Sequence, residues 1–281
     1  MIESFLASWD LFHNAYLAGW GIALLLSLLG VWVVARDQIF IGAAVAQAST
    51  FGVAVALWLA GLSGGLAFLE THPGRSFAAI LFGLLATLLT ARGGGEGRES
   101  HEAITGWVFL VSGAGATLIL ARSPHGLEEI KRLLTSSLIG AGPADVWQFA
   151  VFSALAVAAA AALRRPLLLY AIDPEMAGAV GMRIRRWGIG VALVLGVSIG
   201  LAIHVAGTLY TFGCLVLPAL VARSLAREVG QMLWLAPLVG VSASVVGFVL
   251  ANEYDFPPAQ VTVVLLCAAL TGGWAYRRWR G

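Results

Sequence analysis

Apolar residues in this chain run in long blocks broken by short polar stretches, and they neither alternate nor keep to one narrow helical stripe. A helix that crosses a bilayer needs about 20 mostly apolar residues, because backbone groups in hydrocarbon must satisfy one another. Nine blocks qualify, at about 15–35, 43–61, 77–91, 102–121, 146–163, 187–205, 208–222, 232–251 and 259–276. The expected fold is all-α: one polytopic membrane domain, 1–281, with about nine transmembrane helices.

Two connections are long enough to hold structure. In "GLEEIKRLLTSSLIGAG", Leu127, Ile130, Leu133, Leu134 and Leu138 fall at helical spacing with Glu128, Glu129, Lys131 and Arg132 between them, which predicts an amphipathic helix on the membrane surface. In "RRPLLLYAIDPEMAGAVGMRIRRW", about 164–187, Asp173 is an N-cap, Pro174 suits the first helical position and Glu175 favours a helix N-terminus. Gly181 can end the turn, so a short helix from Pro174 to about Val180 is expected. A plain connector is the other reading of that segment.

Composition agrees with the pattern. Of 281 residues 59% are hydrophobic and 11% charged, with mean hydropathy +0.88, against about 25% charged in a soluble domain. A net charge of +2 makes no case for nucleic acid. Cys214 and Cys267 both lie in apolar runs, so neither thiolate metal spacing nor a disulfide framework is visible. The first residues include Glu3 and Asp10 and lack a basic n-region, so no cleavable signal is expected.

Charge placement gives an orientation, since Lys and Arg gather in cytoplasmic loops. With the N-terminus outside, thirteen of the 17 cations fall on the cytoplasmic side, from Arg36 through the arginines of 164–186 to Arg277, Arg278 and Arg280. Four fall outside: Arg75, Arg122, Lys131 and Arg132. The expectation is N-terminus out and C-terminus in.

Several chemistries are excluded. Lys131 is the single lysine and Arg132 follows it, so the chain has no P-loop and cannot hydrolyse ATP by that route. "GVSIG", Gly196 to Gly200, matches a serine-hydrolase pattern that needs a strand-to-helix elbow, but here it lies within a hydrophobic span. His204 is six residues on, about 9 Å along the helix and well round it from Ser198. The same residues read as G-x-x-x-G, a close-packing face. Ionisable groups within spans are nearly absent; Glu102 and His204 sit near span ends, where interfacial solvation is an alternative to contact with cargo.

Three segments carry a resemblance. "RDQIFIGAAVAQASTFGVAV" resembles the stretch after the first span in zinc- and manganese-import permeases of the ABC transporter superfamily, with Arg36, Phe40, Gly42, Ala48, Ser49, Gly52 and Val53 matching. "DPEMAGAVG" resembles the cytoplasmic coupling element which that family shares with cobalamin- and siderophore-type importers, through Asp173, Glu175, Ala177 and Gly181. "VAGTLYTFGCLVLPALVAR" resembles a third family segment through Gly207, Leu217, Pro218, Ala219, Ala222 and Arg223.

The resemblance implies a cobalamin-importer-like permease fold in a bacterial inner membrane. It implies a homodimer or paired permease contacting membrane lipid, an ABC ATPase subunit that binds the ATP and magnesium, and an extracytoplasmic substrate-binding protein. No cofactor is expected on this chain. A divalent metal, zinc, manganese or iron, is the implied cargo, with coupling at Asp173, Glu175, Ala177 and Gly181. The pathway is expected at Gln47, Ser49, Thr50, Glu102 and His204.

One departure matters. Where the family has Asp and His four residues apart, this chain has Ala43 and Gln47. Such a pair lies on one helix face and can share a cation, whereas alanine ligates nothing and glutamine offers a neutral amide. Gln47 suits a hydrated or chelated species better than bare zinc, and it can also serve as a helix-packing amide. A chelate or small polar cargo, or a transport-inactive scaffold, are therefore the alternatives.

Overall fold

A computed structural model describes residues 5, 8–62, 68–69, 71–91, 100–121 and 138–280. Every regular element among them is helical: α1 (Trp9–Ala35), α2 (Phe40–Leu62), α3 (His72–Thr90), α4 (His101–Leu120), α5 (Pro143–Ala162), α6 (Arg164–Ile172), α7 (Pro174–Ala179), α8 (Ile184–Leu225), α9 (Val229–Glu253) and α10 (Pro258–Arg280), with a 3-10 turn at Leu138–Gly140. Eight of the described helices are long and apolar enough to cross a membrane. Polar caps start several of them. The Ser100 hydroxyl accepts from the Ala103 amide at 3.1 Å, and Asp145 accepts from the Gly142 amide at 2.9 Å at the start of α5.

Eight helices meet nine expected spans at one place. Spans 187–205 and 208–222 fall in a single helical run, α8, which Gly207 breaks with φ 73° and ψ 174°. Only glycine adopts that conformation without strain, so the run holds two segments, 184–206 and 208–225. The expected amphipathic helix over 127–138 lies, up to residue 137, outside the described residues. Leu138, at its end, is buried in the 3-10 turn.

The chain forms two compact units. The first comprises Met1–Asp37, Ser137–Gly181 and Leu209–Gly281; the second comprises Gln38–Ser136 and Met182–Thr208. In the first, α1 is central and packs on α5 and α9, with α10 against α9. Close approach explains its glycines: a Cβ on Gly30 would collide with the Leu215 carbonyl, so the backbones of α1 and the 208–225 segment touch there. Tyr210, fully buried, donates to the Gly19 carbonyl at 3.0 Å and shares a 2.6 Å hydrogen bond with Ser244, tying that segment to α1 and α9.

In the second unit α2 packs along α3 and α4. A Cβ on Gly52 would lie 2.5 Å from the Ala78 carbonyl oxygen, and one on Gly83 would lie 2.7 Å from Ser49 Oγ. Gly196 and Gly200 meet α3 at Leu84 and Ile80, where added Cβ atoms would come to 3.1 Å and 2.8 Å of backbone carbons. The G-x-x-x-G reading is therefore the correct one: these glycines let two helix backbones approach. Outward-facing apolar side chains such as Leu118, Trp147, Trp234 and Val264 stay exposed, the surface a bilayer covers.

Candidate functional site

Two places hold the residues singled out by sequence, one in each unit. The first is the connection from α6 to α8. Asp173 Oδ1 accepts from the Met176 amide at 2.9 Å, which caps α7 as its sequence predicts. Pro174 opens the helix, Glu175 stands exposed in its first turn, Ala177 is fully buried beneath it, and Gly181 leaves it at φ 86°. A Cβ at Gly181 would meet no atom within 4 Å, so backbone conformation, not crowding, requires glycine there.

Sequence reasoning missed the apolar surface around that helix. Ile172, Met176 and Val180 are 60%, 53% and 59% exposed. They recur every four residues within a polar, arginine-flanked segment, and that spacing was the available signal. Ile172 ends α6, Met176 lies on α7 and Val180 is its C-cap, so exposed apolar side chains border the short capped helix, a feature that marks interaction surfaces.

The end of α1 supports this connection. The Arg36 guanidinium lies 4.5 Å from the centre of the Tyr170 ring, and Tyr170, itself buried, precedes the α7 cap by three residues. Next to it, Asp37 sits at φ 53° and pairs with Arg223 at 2.6 Å, while Arg223 also reaches the Val34 carbonyl at 3.4 Å. Arg36 and Arg223, matched to the family pattern only as motif residues, thus fasten the end of α1 to the neighbouring chain segments. The Asp37–Arg223 pair is largely exposed, so it orients more than it stabilises.

The second place is the face of α2. Ala43, Gln47, Phe51 and Val55, at four-residue spacing, are all half-buried, whereas Ala44, Ala48 and Gly52 beside them are buried. The face carrying Ala43 and Gln47 is thus the more open one. Gln47 lies against Gly113 of α4, where a Cβ would stand 3.5 Å from its Oε1. Ser49 is fully buried, close to Gly83, and its hydroxyl has no hydrogen-bond partner. Thr50 is buried too, but its hydroxyl donates to the Ala46 carbonyl at 3.0 Å and so turns back on its own helix.

Glu102 is exposed in the first turn of α4, where the helix dipole favours a carboxylate. His204 is half-buried, three residues before the break at Gly207. The Ser198 hydroxyl is buried without a partner, which removes the nucleophile–base pair that hydrolysis would need. Among the described residues no three His, Cys, Asp or Glu side chains gather in a metal-holding group.

Comparison with known proteins gives consistent matches along the whole chain. The ABC 3 transport family matches residues 8–276. The manganese import system permease protein ScaB of Streptococcus gordonii is 24% identical over 273 residues, 96% of this chain and 93% of that protein. The chelated iron transport system membrane protein YfeD of Yersinia pestis is 20% identical over 239 residues, 85% of this chain and 76% of that one. Among solved structures, PsaBC from Streptococcus pneumoniae in complex with Fab superposes with a TM-score of 0.79 at 19% identity, covering 98% of this chain and 95% of the other.

Proposed function

The chain belongs to the ABC 3 transport family, and on that premise we propose that it is the membrane permease of an ATP-driven importer of a divalent metal: manganese, iron or zinc. Manganese, iron and chelated iron are the cargoes named for its relatives. The capped helix α7, with exposed Met176 on it and exposed Ile172 and Val180 flanking it, carries this reading. A chain without a P-loop lysine needs a separate ATPase, and an exposed apolar helix next to arginine clusters is a surface for one. ATP and magnesium then belong to that partner. A binding protein on the outer side delivers cargo, and the permease works in pairs in a bacterial inner membrane. ATP-driven movement of the partner pushes α7, and the close glycine contacts let the helices exchange between two packings.

A second reading keeps the fold and changes the cargo to a chelated or still-hydrated metal. The half-open pair Ala43 and Gln47 favours it, because a neutral amide suits a ligated species and alanine offers nothing to a bare ion.

Uptake of radioactive manganese and of chelated iron by vesicles holding the permease with its ATPase, supplied with the binding protein on the outer side, separates the two. ATP-dependent uptake of neither, with the complex intact, rejects both. Orientation is tested by single cysteines after Cys214 and Cys267 are removed: those at Arg98, Arg186 and Arg278 should be shielded from an impermeant thiol reagent in intact cells, and those at Thr71 and Asn252 labelled. The opposite pattern rejects N-terminus out.

A further inference from the structure

Within the first unit, the 208–225 segment of α8, α9 and α10 leave an open-sided groove of about 470 Å³. Branched residues such as Val221 and Val246 line it together with the small residues Ser242, Ala243, Ala269 and Gly272, and Tyr276 lies at its end in the chain. The two glycines of α10 that border it do different things. A Cβ on Gly273 would strike Ser224 Oγ, so Gly273 is where α10 touches α8. A Cβ on Gly272 would meet no atom within 4 Å. Protein packing does not require glycine at 272; its effect is to keep the groove deep.

The same face of α10 goes on as charge. Ala269, Gly272, Gly273 and Tyr276 recur at three- and four-residue spacing, and Arg277, four beyond Gly273, lies at the edge of that face, from which a long side chain can reach the groove's end. Arg277 and Arg278 are exposed, and neither has an acidic partner among the described residues. Trp274 and Trp279 stand beside them, 56% and 94% exposed. Tryptophan and arginine at the end of a spanning helix mark the headgroup level of a bilayer. An apolar groove that leads to that level and to an unpaired guanidinium reproduces the two halves of a phospholipid, an alkyl chain and an anionic phosphate. A guanidinium offers paired donors to phosphate oxygens, and a zwitterionic headgroup brings an ammonium that it repels.

We propose that this groove binds one anionic phospholipid, with an acyl chain against Gly272 and the headgroup phosphate at Arg277. The experiment uses the full chain, delipidated in detergent, equilibrated with equimolar dioleoyl-phosphatidylglycerol and dioleoyl-phosphatidylcholine, and read for retained lipid by native mass spectrometry. The parent should retain phosphatidylglycerol over phosphatidylcholine by about fivefold, the discrimination one interfacial arginine supplies. Arg277→Gln should bring that ratio to near parity. Gly272→Leu should lose retained lipid of both kinds while unfolding at the parent's temperature, since its side chain enters open space, and Gly272→Ala should keep the parent's preference. Parity in the parent, an unchanged ratio in Arg277→Gln, or full retention in a folded Gly272→Leu would overturn the proposal. If Gly272→Leu turns a dimer into a monomer and leaves lipid retention unchanged, the groove seats a second copy and not a lipid. Should Gly272→Leu fail to fold, the Arg277→Gln ratio decides.

Discussion

The face of α2 departs from the family pattern where the short helix α7 keeps to it. On α2 the small residues that set helix spacing are kept: Gly42, Ala48, Ser49 and Gly52 match, and Gly52 meets the Ala78 carbonyl with no room for a methyl. On its more open side stand Ala43 and Gln47, where the resemblance implies an Asp and a His. On α7 the acidic cap, the buried alanine and the left-handed glycine are all present. A helix contact is destroyed by one added carbon atom, and a cap by one lost oxygen. A half-open helix face has no such constraint from folding, so its chemistry can change while the fold stays.

That contrast can be broken first at a helix contact. Gly200→Leu puts a side chain where even a Cβ would lie 2.8 Å from Ile80 Cα. It should cost at least about 1–3 kcal/mol, the usual range for overpacking, seen as a lower unfolding temperature of the detergent-purified chain. Stability equal to the parent would show that the α3–α8 contact is looser than described.

On α7 the loss should appear chiefly in coupling, with the chain still folded. Glu175→Lys removes the carboxylate from the helix start, and Gly181→Val forces a branched residue into φ 86°. Each is expected to cut ATP-dependent uptake about tenfold, equivalent to about 1.4 kcal/mol of lost coupling; Glu175→Lys should change thermal stability by less than about 1 kcal/mol, whereas the strained Gly181→Val should lose about 1–3 kcal/mol and stay folded. Normal uptake in both variants would remove α7 from the coupling path.

A smaller and opposite effect is expected on α2. Ala43→Asp combined with Gln47→His restores two ligands on one face, and zinc or manganese binding to the purified permease should rise about tenfold, beyond either single change. Transport need not follow, because cargo held tightly leaves slowly. No gain in the double variant would mean that Gln47 serves as a packing amide against Gly113.

Least of all should follow from Thr50→Val. Its hydroxyl is already engaged by the Ala46 carbonyl at 3.0 Å, so uptake should stay within about twofold of the parent and stability within about 1 kcal/mol. A tenfold drop in uptake would show that Thr50 reaches the path.

Local physics explains what could be read from the chain. An apolar block long enough for a bilayer is a helix whatever its neighbours do, so the spans, including the division between 187–205 and 208–222, follow from sequence. The Asp173 cap and the α7 helix follow from contacts within four residues. Other features depend on partners far along the chain. Arg36 and Tyr170 are brought together from distant segments, as are Asp37 and Arg223, 186 residues apart. Sequence periodicity marks Ala43 and Gln47 as sharing a face, but only the packing of α3 and α4 leaves that face half-open and turns Ser49 inward. Whether a glycine is a contact or a gap is likewise tertiary: Gly273 is pressed against Ser224 while Gly272, its neighbour, faces empty space, because adjacent positions on a helix point 100° apart and only one can meet the helix beside it.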